Sequence, residues 1–366
     1  MPAGPPFTRL LQGLPASVPF VAPDALVRRR GKPLRLRLGA NESAFGPSLR
    51  AVAAMRAAVA HVALYGDPES AALRAEVARV HGVSPANVVV CSGIDDLIGL
   101  AVRAFVEPGG VAVTSLGGYP TFDYHVHGFG GALNGVPYRN DSNDLEGLAD
   151  TARRCGARVV YLANPDNPSG TWHDAVAVQA FIDRLAPETL LLLDEAYIEF
   201  APPGSSPALD VSDPRVLRMR TFSKVHGLAG ARIGYGLAAA ATVSAFDKIR
   251  HHFGVNALAQ AGALASLSDD EHVRHVVDAV SEGRREYDAL AQSLGLSTLP
   301  SAANFVAVDV GEPSRARALL ASLLERGVFV RMPRSPPLDR CIRVTVGTPE
   351  ERAEFAQIFR DVCSGG

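Results

Sequence analysis

Short apolar runs alternate with longer amphipathic segments between about residues 48 and 250. The short runs consist almost continuously of Val, Leu and Ile, as in strands that are buried on both faces between layers of helices. The longer segments have the periodicity of helices with one buried face. This alternation predicts a three-layer α/β domain in which helices cover a central, mostly parallel sheet. The predicted strands are 88–91, 111–114, 159–163, 190–194, 216–221 and 233–237, and the predicted helices are 48–61, 69–81, 95–105, 145–154 and 174–185.

The pattern changes after Lys248, where helices and strands no longer alternate regularly. A mixture of this kind predicts a smaller α+β domain. The segment before residue 48 is rich in proline and arginine, and we expect it to pack on this small domain or on another subunit. Helices are predicted at 257–267, 270–294 and 315–326, and strands at 304–310, 328–331 and 341–346. The predicted division is therefore an N-terminal arm at 1–47, a large domain at 48–255 and a small domain at 256–366.

The composition points to a protein with a small-molecule ligand. Of the 366 residues 47% are hydrophobic, which is ample for a sizeable core, and the formal net charge of −2 gives no general reason to expect nucleic acid or membrane binding. The four cysteines lie far apart without a CxxC pair, which favours reduced thiols in the cytoplasm over disulfides or a zinc site. The N-terminal stretch is interrupted by prolines and lacks the pattern of a signal peptide.

Lysine is scarce in this chain. Of 36 basic residues only Lys32, Lys224 and Lys248 are lysines. Lys224 follows the predicted strand 216–221 and precedes a glycine-rich segment. An arginine can replace the charge of a surface lysine, but only a lysine amine can lose its proton and attack a carbonyl carbon. Lys224 is either an ordinary surface residue or a nucleophile, and the residues around it favour a nucleophile.

Polar residues follow several of the predicted strands. Because the carboxyl ends of parallel strands meet at one edge of a sheet, these residues should lie together. After 88–91 the backbone N–H groups of Ile94 and Asp95 open a helix behind Gly93, and such a helix start can bind a phosphate. The alternative is a simple Ser or Asp helix cap. No GxGxxG fingerprint follows a strand here, so a dinucleotide is not indicated.

Two further strand ends carry polar side chains. Asn167 lies in a turn that two prolines and a glycine make rigid, although such turns are also common without a function. Asp194 follows four leucines, and a carboxylate at the end of a buried strand is costly unless a cation or several donors pair with it. A protonated pyridine nitrogen would be such a partner, and Tyr197 could reach an oxygen on the same ring. The alternative for Asp194 is a helix cap.

Side chains around Lys224 complete this set. Ser223 and Arg232 provide a hydroxyl and a guanidinium group, which would complete the phosphate site at the start of the helix after 88–91. Phe122 follows the strand 111–114 and could either stack on an aromatic ligand or belong to the core. The histidines show no HExxH or other metal spacing, so no metal is expected.

Taken together, these residues resemble the active-site motifs of fold type I, pyridoxal-phosphate-dependent aminotransferases, in an order that runs through most of the chain. Within that superfamily the sequence is similar to histidinol-phosphate aminotransferases. The resemblance implies the fold type I architecture, a homodimer, and transamination of histidinol phosphate with 2-oxoglutarate in histidine biosynthesis. The segments that carry it are Asn41-Glu42, 194–200, 221–232, Asn304-Phe305 and 342–348.

The resemblance also implies roles for individual residues. Lys224 would bond to the cofactor aldehyde and act as the catalytic base, Asp194 would pair with the pyridine nitrogen, and Tyr197 would contact the ring oxygen. By the same resemblance, Asn167 would contact the ring oxygen and Phe122 would stack on the ring. Tyr65 would complete the phosphate site of the other subunit. The contacts to the cofactor phosphate would be Gly93, Ile94, Asp95, Ser223 and Arg232.

The substrate contacts are also given by resemblance. Arg331 and Arg343 match the two arginines that hold the anionic end of the substrate in the similar enzymes, and Asn41 and Phe20 match further contacts. Two guanidinium groups suit a phosphate or a carboxylate, so they do not identify the anion. Phe20 stands where the family has a tyrosine, and the loop 332–342 is rich in proline. An aminotransferase for aromatic or other amino acids, a pyridoxal-phosphate-dependent phosphoamino-acid decarboxylase and a non-catalytic binding protein on this fold are the alternatives.

Overall fold

The predicted α/β architecture is confirmed in the computed structural model, which describes residues 4–15 and 22–364. In chain order the strands are β1 (Leu36–Arg37), β2 (Val88–Cys91), β3 (Val111–Ser115), β4 (Ala132–Val136), β5 (Val159–Ala163), β6 (Leu190–Asp194), β7 (Val216–Thr221), β8 (Gly234–Leu237), β9 (Ser297–Thr298), β10 (Phe305–Asp309), β11 (Val328–Phe329) and β12 (Cys341–Thr345). Within the described residues, seven strands form the central sheet in the order β2-β8-β7-β6-β5-β3-β4. Only β8 is antiparallel to its neighbours, β2 and β7, so β2 points the same way as the parallel strands.

The edge strand β4 was not predicted, because its sequence is not a continuous apolar run. Its sequence contains Asn134 and Gly135, and only Val136 is buried. A strand at the end of a sheet has a neighbour on one side only, so its residues need not be apolar. The interior strands β5 and β6, by contrast, are buried along their whole length, which is why their apolar runs are continuous.

The helices begin where the sequence provides caps. Ser48, Asp144 and Asp174 each accept a hydrogen bond from a backbone N–H in the first helical turn. None of the described helices is long and apolar enough to cross a membrane. The helices are α1 (Arg9–Gly13), α2 (Pro23–Arg30), α3 (Leu49–Val59), α4 (Ala71–His81), α5 (Ile94–Phe105), α6 (Pro120–Gly128), α7 (Leu145–Cys155), α8 (Ala175–Arg184), α9 (Ala240–Asp247), α10 (Ala257–Leu267), α11 (Asp270–Ser293), α12 (Pro313–Glu325) and α13 (Pro349–Ser364).

A second, smaller sheet lies in the C-terminal part of the chain. Its central strand β10 pairs antiparallel with β9 and with β12. The described part of the N-terminal arm joins this region, because β1 pairs in parallel with β11 and the backbone of Leu38 bonds to Phe329 and Thr345. The residues that follow β1 are thereby brought from the beginning of the chain to the small domain.

Helix α10 does not follow the division expected at residue 256. Its buried residues Ala259 and Ala263 share a core with Leu73 and Val77 of α4 and with Phe222 after β7. This core belongs to the outer layer of the large domain. The small hydrophobic side chains of α10 suit close packing between helices, but the sequence pattern by itself does not say against which layer they pack.

Candidate active site

The carboxyl ends of β2, β3, β5, β6 and β7 meet at one edge of the central sheet, since these strands run in the same direction. Asp194 is the last residue of β6, and the segments that leave this edge contain Gly93, Tyr119, Asn167 and Lys224. This is the edge at which open α/β sheets bind their ligands. The expected convergence of polar strand ends therefore has a direct topological cause.

Lys224 is half-buried and faces Tyr197 and Asn41. Its Nζ donates a hydrogen bond to the backbone oxygen of Asn41 at 3.0 Å and lies 5.3 Å from the centre of the Tyr197 ring. The side-chain amide of Asn41 donates to Tyr197 Oη at 3.0 Å, and the amide of Asn167 approaches the same oxygen at 3.5 Å. Lys224, Tyr197, Asn167 and Asn41 thus form one connected cluster.

Asp194 lies at the end of β6 and is 5% exposed. One of its oxygens, Oδ2, accepts a hydrogen bond from Tyr161 Oη at 2.6 Å, and Oδ1 accepts one from the backbone N–H of Ala196 at 2.9 Å. Burial raises the pKa of this carboxyl from its usual 3.8 to about 6, while these two donors and the charge of Lys224 act in the opposite direction. A cationic group near the carboxylate would lower the cost of its burial.

The start of α5 has the features of an anion site. Gly93 is the N-cap, has a φ of 88° and contributes no side-chain cap, so the first backbone N–H groups of the helix face outward from the helix end. A Cβ atom at Gly93 would lie 2.6 Å from Arg232 Nη2, which means that the guanidinium group covers this glycine. Arg232 lies 3.6 Å from Asp95, and Asp95 accepts a hydrogen bond from Tyr119 Oη at 2.8 Å.

Ser223 is the remaining expected phosphate contact. It is buried beside Lys224, and its backbone N–H donates to Thr221 Oγ1 at 3.0 Å. This hydrogen bond fixes the turn that leaves β7 just before Lys224. The turn therefore presents a hydroxyl and an amine from consecutive residues at the same edge of the sheet.

Arg331 and Arg343 lie side by side, because their backbones form an antiparallel bridge in the small domain. Both guanidinium groups donate to the carbonyl oxygen of Gly39, each at 3.1 Å, and Arg343 also donates to the side-chain oxygen of Asn167. Burial lowers the pKa of Arg343 to about 10, so it remains charged at neutral pH. Its Nε is buried and has no hydrogen-bond partner among the described residues, which leaves a donor for an anionic ligand.

The expectation for Phe122 is wrong. Its side chain is 0% exposed and stacks on the ring of Tyr161, with centroids 5.1 Å apart, so it has no free face for a ligand. Phe122 lies in the first turn of α6 and points into the core. Tyr119, the N-cap of the same helix, is the aromatic residue at the edge of the sheet, as its hydrogen bond to Asp95 shows.

Another expected residue, Tyr65, lies apart from this cluster. Tyr65 is 85% exposed and packs its ring against Phe253, 4.7 Å away between centroids. Gly254, the next residue, accepts a hydrogen bond from Ser92 beside the start of α5. Tyr65 is therefore a surface residue on the side of the molecule that carries the candidate anion site. Phe20 lies outside the described residues.

Sequence reasoning missed four residues that support the cluster. Tyr161 donates to Asp194, and Tyr119 donates to Asp95. Asn304 donates to the backbone oxygen of Asn41 at 3.2 Å, and Thr345 bonds to both the backbone N–H and the side chain of Asn41 at 3.1 Å. Asn304 and Thr345 lie in segments that carry the family resemblance, but their spacing along the chain does not reveal that they meet at Asn41.

The chemistry of this site fits pyridoxal phosphate. A half-buried amine, a buried carboxylate at the end of a strand and an arginine over a glycine at a helix start suit the aldehyde, the ring nitrogen and the phosphate, respectively. The adjacent guanidinium groups of Arg331 and Arg343 have the chemistry to bind a separate anion. The described residues thus offer one group for each functional part of the cofactor.

Comparisons with known proteins agree with this arrangement. The family model described as aminotransferase class I and II matches residues 35–359. Histidinol-phosphate aminotransferase 2 of Carboxydothermus hydrogenoformans is 35% identical over 353 residues, which cover 95% of this chain and 96% of the relative. A crystal structure of histidinol-phosphate aminotransferase from Sinorhizobium meliloti in complex with pyridoxal-5'-phosphate has a TM-score of 0.96 and 46% identity, covering 100% of this chain and 99% of that one.

A more distant solved structure shares the fold alone. Aspartate aminotransferase from Thermus thermophilus with maleate has a TM-score of 0.80 at 21% identity, and the match covers 98% of this chain and 100% of that one. The same architecture is therefore retained where four residues in five differ.

Proposed function

The chain belongs to the class I and II aminotransferases, and we propose that it transfers the amino group of histidinol phosphate to 2-oxoglutarate with pyridoxal phosphate as its cofactor. The observation that carries this proposal is the cluster in which Lys224, Tyr197 and Asn41 contact one another beside Arg343 and Asn167. The two histidinol-phosphate aminotransferases named above match this chain over nearly their whole length, and this similarity supports the choice of substrate.

The phosphate, ring nitrogen and ring oxygen of the cofactor would be held by groups from four strand ends. The N–H groups that follow Gly93, with Ser223 and Arg232, would bind the phosphate, and Asp194 would pair with the protonated ring nitrogen. Asn167 and Tyr197 would contact the ring oxygen. When bound, pyridoxal phosphate supplies a reactive aldehyde and a ring that accepts electrons from the substrate carbon.

An aromatic ring should also cover one face of the cofactor. Tyr119 takes the role expected of Phe122, because Phe122 is fully buried and Tyr119 lies at the same sheet edge as Asp95. The hydrogen bond to Asp95 would hold the Tyr119 ring in place next to the phosphate site.

Lys224 would act as the base. Its Nζ would take the proton from the substrate carbon that bears the amino group and deliver it to the cofactor carbon bonded to the transferred nitrogen, and it would move a proton in the opposite direction in the second half of the reaction. The hydrogen bond to the Asn41 carbonyl orients Nζ toward Tyr197. Because donor and acceptor would use the same site in turn, ping-pong kinetics are expected.

Arg331 and Arg343 would hold the anionic end of the substrate. Their guanidinium groups share the Gly39 carbonyl as an acceptor and therefore converge on one place. The Nε of Arg343, which has no hydrogen-bond partner in the described part of the chain, would bind an oxygen of the phosphate. A phosphate has more acceptor oxygens than a carboxylate and can occupy both arginines at the same time.

The test of this function is a comparison of amino donors with purified protein. We expect turnover of histidinol phosphate with 2-oxoglutarate to exceed turnover of phenylalanine, and Arg343→Lys to lower kcat/KM for histidinol phosphate by roughly 10- to 100-fold, as for the loss of a hydrogen bond to a charged group. Arg35→Lys, at a surface ion pair with Glu354, is the matched control. Faster turnover of phenylalanine would identify an aromatic aminotransferase instead, and carbon dioxide release without an acceptor would identify a decarboxylase.

We further propose that two copies form a homodimer in which Tyr65 reaches the phosphate site of the partner subunit. Tyr65 is the most exposed aromatic residue of an apolar surface that also includes Val62, Leu64 and Phe253. Exposed apolar residues grouped in this way are typical of interaction sites. Ser92, which bonds to Gly254, links this surface to the start of α5.

The four free cysteines support a reducing, cytoplasmic location.

A further inference from the structure

Tyr161 makes the shortest of the contacts that restrain Asp194. Its hydroxyl donates to Asp194 Oδ2 at 2.6 Å, whereas the backbone N–H of Ala196 donates to Oδ1 at 2.9 Å. Each carboxylate oxygen therefore has one fixed donor, and the plane of the carboxylate cannot rotate without losing one of these bonds. A buried carboxylate held from both sides presents its remaining lone pairs in a fixed direction.

The Tyr161 hydroxyl is itself held rigidly. Tyr161 pairs in register with Leu192 inside the central sheet, and its ring stacks on Phe122 with an interplanar angle of 19°. Both side chains are nearly or completely buried. Burial, followed by the neighbouring charge of Asp194, raises the pKa of Tyr161 well above its usual range, so the hydroxyl keeps its proton and acts as a donor.

The hydrogen bond has an electrostatic consequence for Asp194. Burial is the largest influence on this carboxyl and favours its neutral form, whereas donation from Tyr161 favours the ionised form. A neutral carboxyl cannot pair with a protonated pyridine nitrogen as an ion. The state of Asp194 at neutral pH is therefore a balance in which the Tyr161 hydroxyl opposes desolvation.

We propose that Tyr161 is a positioning residue that orients the Asp194 carboxylate and keeps it ionised for the ring nitrogen of the cofactor. This inference rests on the proposed function, because it assigns Asp194 to that nitrogen. Tyr161 acts through Asp194 and does not itself touch the cofactor. If Tyr161 contributed only to core packing, its ring would matter and its hydroxyl would not. The experiment therefore removes the hydroxyl and keeps the ring.

The experiment measures the dissociation constants of two ligands with cofactor-free protein. One ligand is pyridoxal phosphate, and the other is its 1-deaza analogue, in which a C–H group replaces the ring nitrogen. The wild-type protein should prefer pyridoxal phosphate, since only this ligand can pair with the Asp194 carboxylate. We expect Tyr161→Phe to weaken pyridoxal phosphate binding about tenfold at pH 7 and to leave the deaza analogue nearly unchanged, because one hydrogen bond to a charged group is lost.

The pH dependence supplies a second readout. Affinity for pyridoxal phosphate is present where Asp194 is ionised and falls as acid protonates it, so the acid limb follows the pKa of Asp194 near 6. In Tyr161→Phe this limb should move upward by about one pH unit, the shift that corresponds to a tenfold change. Tyr235→Phe is the matched control, because Tyr235 is also buried in the central sheet but its hydroxyl contacts His81.

Phe122→Leu tests the same proposal without removing the hydroxyl. Loss of the stacked ring should lower thermal stability and partly reduce the preference for pyridoxal phosphate over the deaza analogue, because Tyr161 is held less firmly. This variant gives an answer even where Tyr161→Phe does not fold. Equal weakening of both ligands, or an unchanged acid limb in a folded Tyr161→Phe, overturns the positioning role.

Failure of this inference can be distinguished from failure of the proposed function. If the wild type binds pyridoxal phosphate and transaminates, and Lys224→Ala does not turn over, an unchanged preference in Tyr161→Phe contradicts the role of Tyr161 alone. If the wild type does not prefer pyridoxal phosphate to the deaza analogue, the assignment of Asp194 fails and the inference fails with it.

Discussion

The amine of Lys224 donates a hydrogen bond to the backbone carbonyl of Asn41, which precedes it by 183 residues, at 3.0 Å. Asn41 belongs to the N-terminal arm and adopts a left-handed backbone with a φ of 55°. Asn304 and Thr345 from the small domain hold it there. The geometry of the candidate base thus depends on three parts of the chain that meet only in the folded protein.

The left-handed backbone of Asn41 should matter separately from its side chain. Asn41→Gly allows the left-handed backbone conformation without steric cost but removes the side-chain amide that donates to Tyr197. We therefore expect roughly a fivefold loss of kcat/KM, as for the loss of one hydrogen bond. Asn41→Ala adds a steric cost of about 1 kcal/mol to the same loss, so it should melt about 2 °C lower and lose more activity. Steady-state kinetics and thermal unfolding of both variants check this. Identical behaviour of the two would show that the backbone conformation is unimportant.

The burial of Asp194 should be visible in the stability of the cofactor-free protein. Its folded pKa of about 6 lies above the usual 3.8, so the folded state holds its proton more tightly and its contribution to stability falls as pH rises. Between pH 5 and pH 8 the wild type should lose about 1.4 kcal/mol relative to Asp194→Asn, which cannot ionise. Urea unfolding at both pH values measures the difference. No change in the gap between the two proteins would contradict a raised pKa.

The absence of a side chain at residue 93 should be needed for cofactor binding. A Cβ atom at Gly93 would lie 2.6 Å from Arg232, so Gly93→Ala must displace the guanidinium group and should weaken pyridoxal phosphate binding about tenfold or more. Gly109→Ala is the matched control, because Gly109 has a similar φ of 82° but open space around it. Both variants should lose stability through backbone strain, and Gly93→Ala should lose more, about 1–3 kcal/mol, because its φ of 88° and ψ of 165° lie in a region that only glycine commonly adopts; only Gly93→Ala should lose affinity. Equal affinities would remove Arg232 from the phosphate site.

The contribution of Tyr65 to the partner's site can be tested with hybrid dimers. Lys224→Ala and Tyr65→Ala should each have low activity, the first through loss of the base and the second through a weakened phosphate site. In a hybrid, one site combines the intact Lys224 of one subunit with the intact Tyr65 of the other, so co-expression should restore up to roughly a quarter of the wild-type sites. If Tyr65 served its own subunit instead, every site would lack one group and no activity would return.

The fold of this protein follows largely from local sequence patterns. The interior strands β5 and β6 are buried on both faces, so their residues are almost continuously apolar, and the predicted runs that end at Ala163 and Asp194 coincide with them. The predicted run 216–221 also coincides with β7, although Arg218 and Arg220 interrupt its apolar pattern. The edge strand β4 has no such requirement and could not be found in this way. The helix starts at Ser48 and Asp174 follow from caps that act within one turn.

Long-range contacts had no such local signal. Tyr119 and Phe122 are only three residues apart. Tyr119 lies at the sheet edge and Phe122 lies in the core because of where α6 begins. The packing of α10 against α4 depends on which layer its small residues meet. In both cases the residue types suit either environment, so only the arrangement of neighbouring elements decides.

The sequence by itself determined which chemical groups this protein has at the ends of its strands, because the direction of parallel strands brings those ends to one edge whatever the details of packing. A scarce lysine, an acid after four leucines and an arginine after a glycine-rich turn could therefore be assigned to one site. Only the tertiary structure decided how these groups are held. Tyr161 donates a hydrogen bond to Asp194, and Asn304 and Thr345 donate hydrogen bonds to Asn41. These bonds join residues that are far apart in the chain, and they depend on distances that no sequence pattern contains.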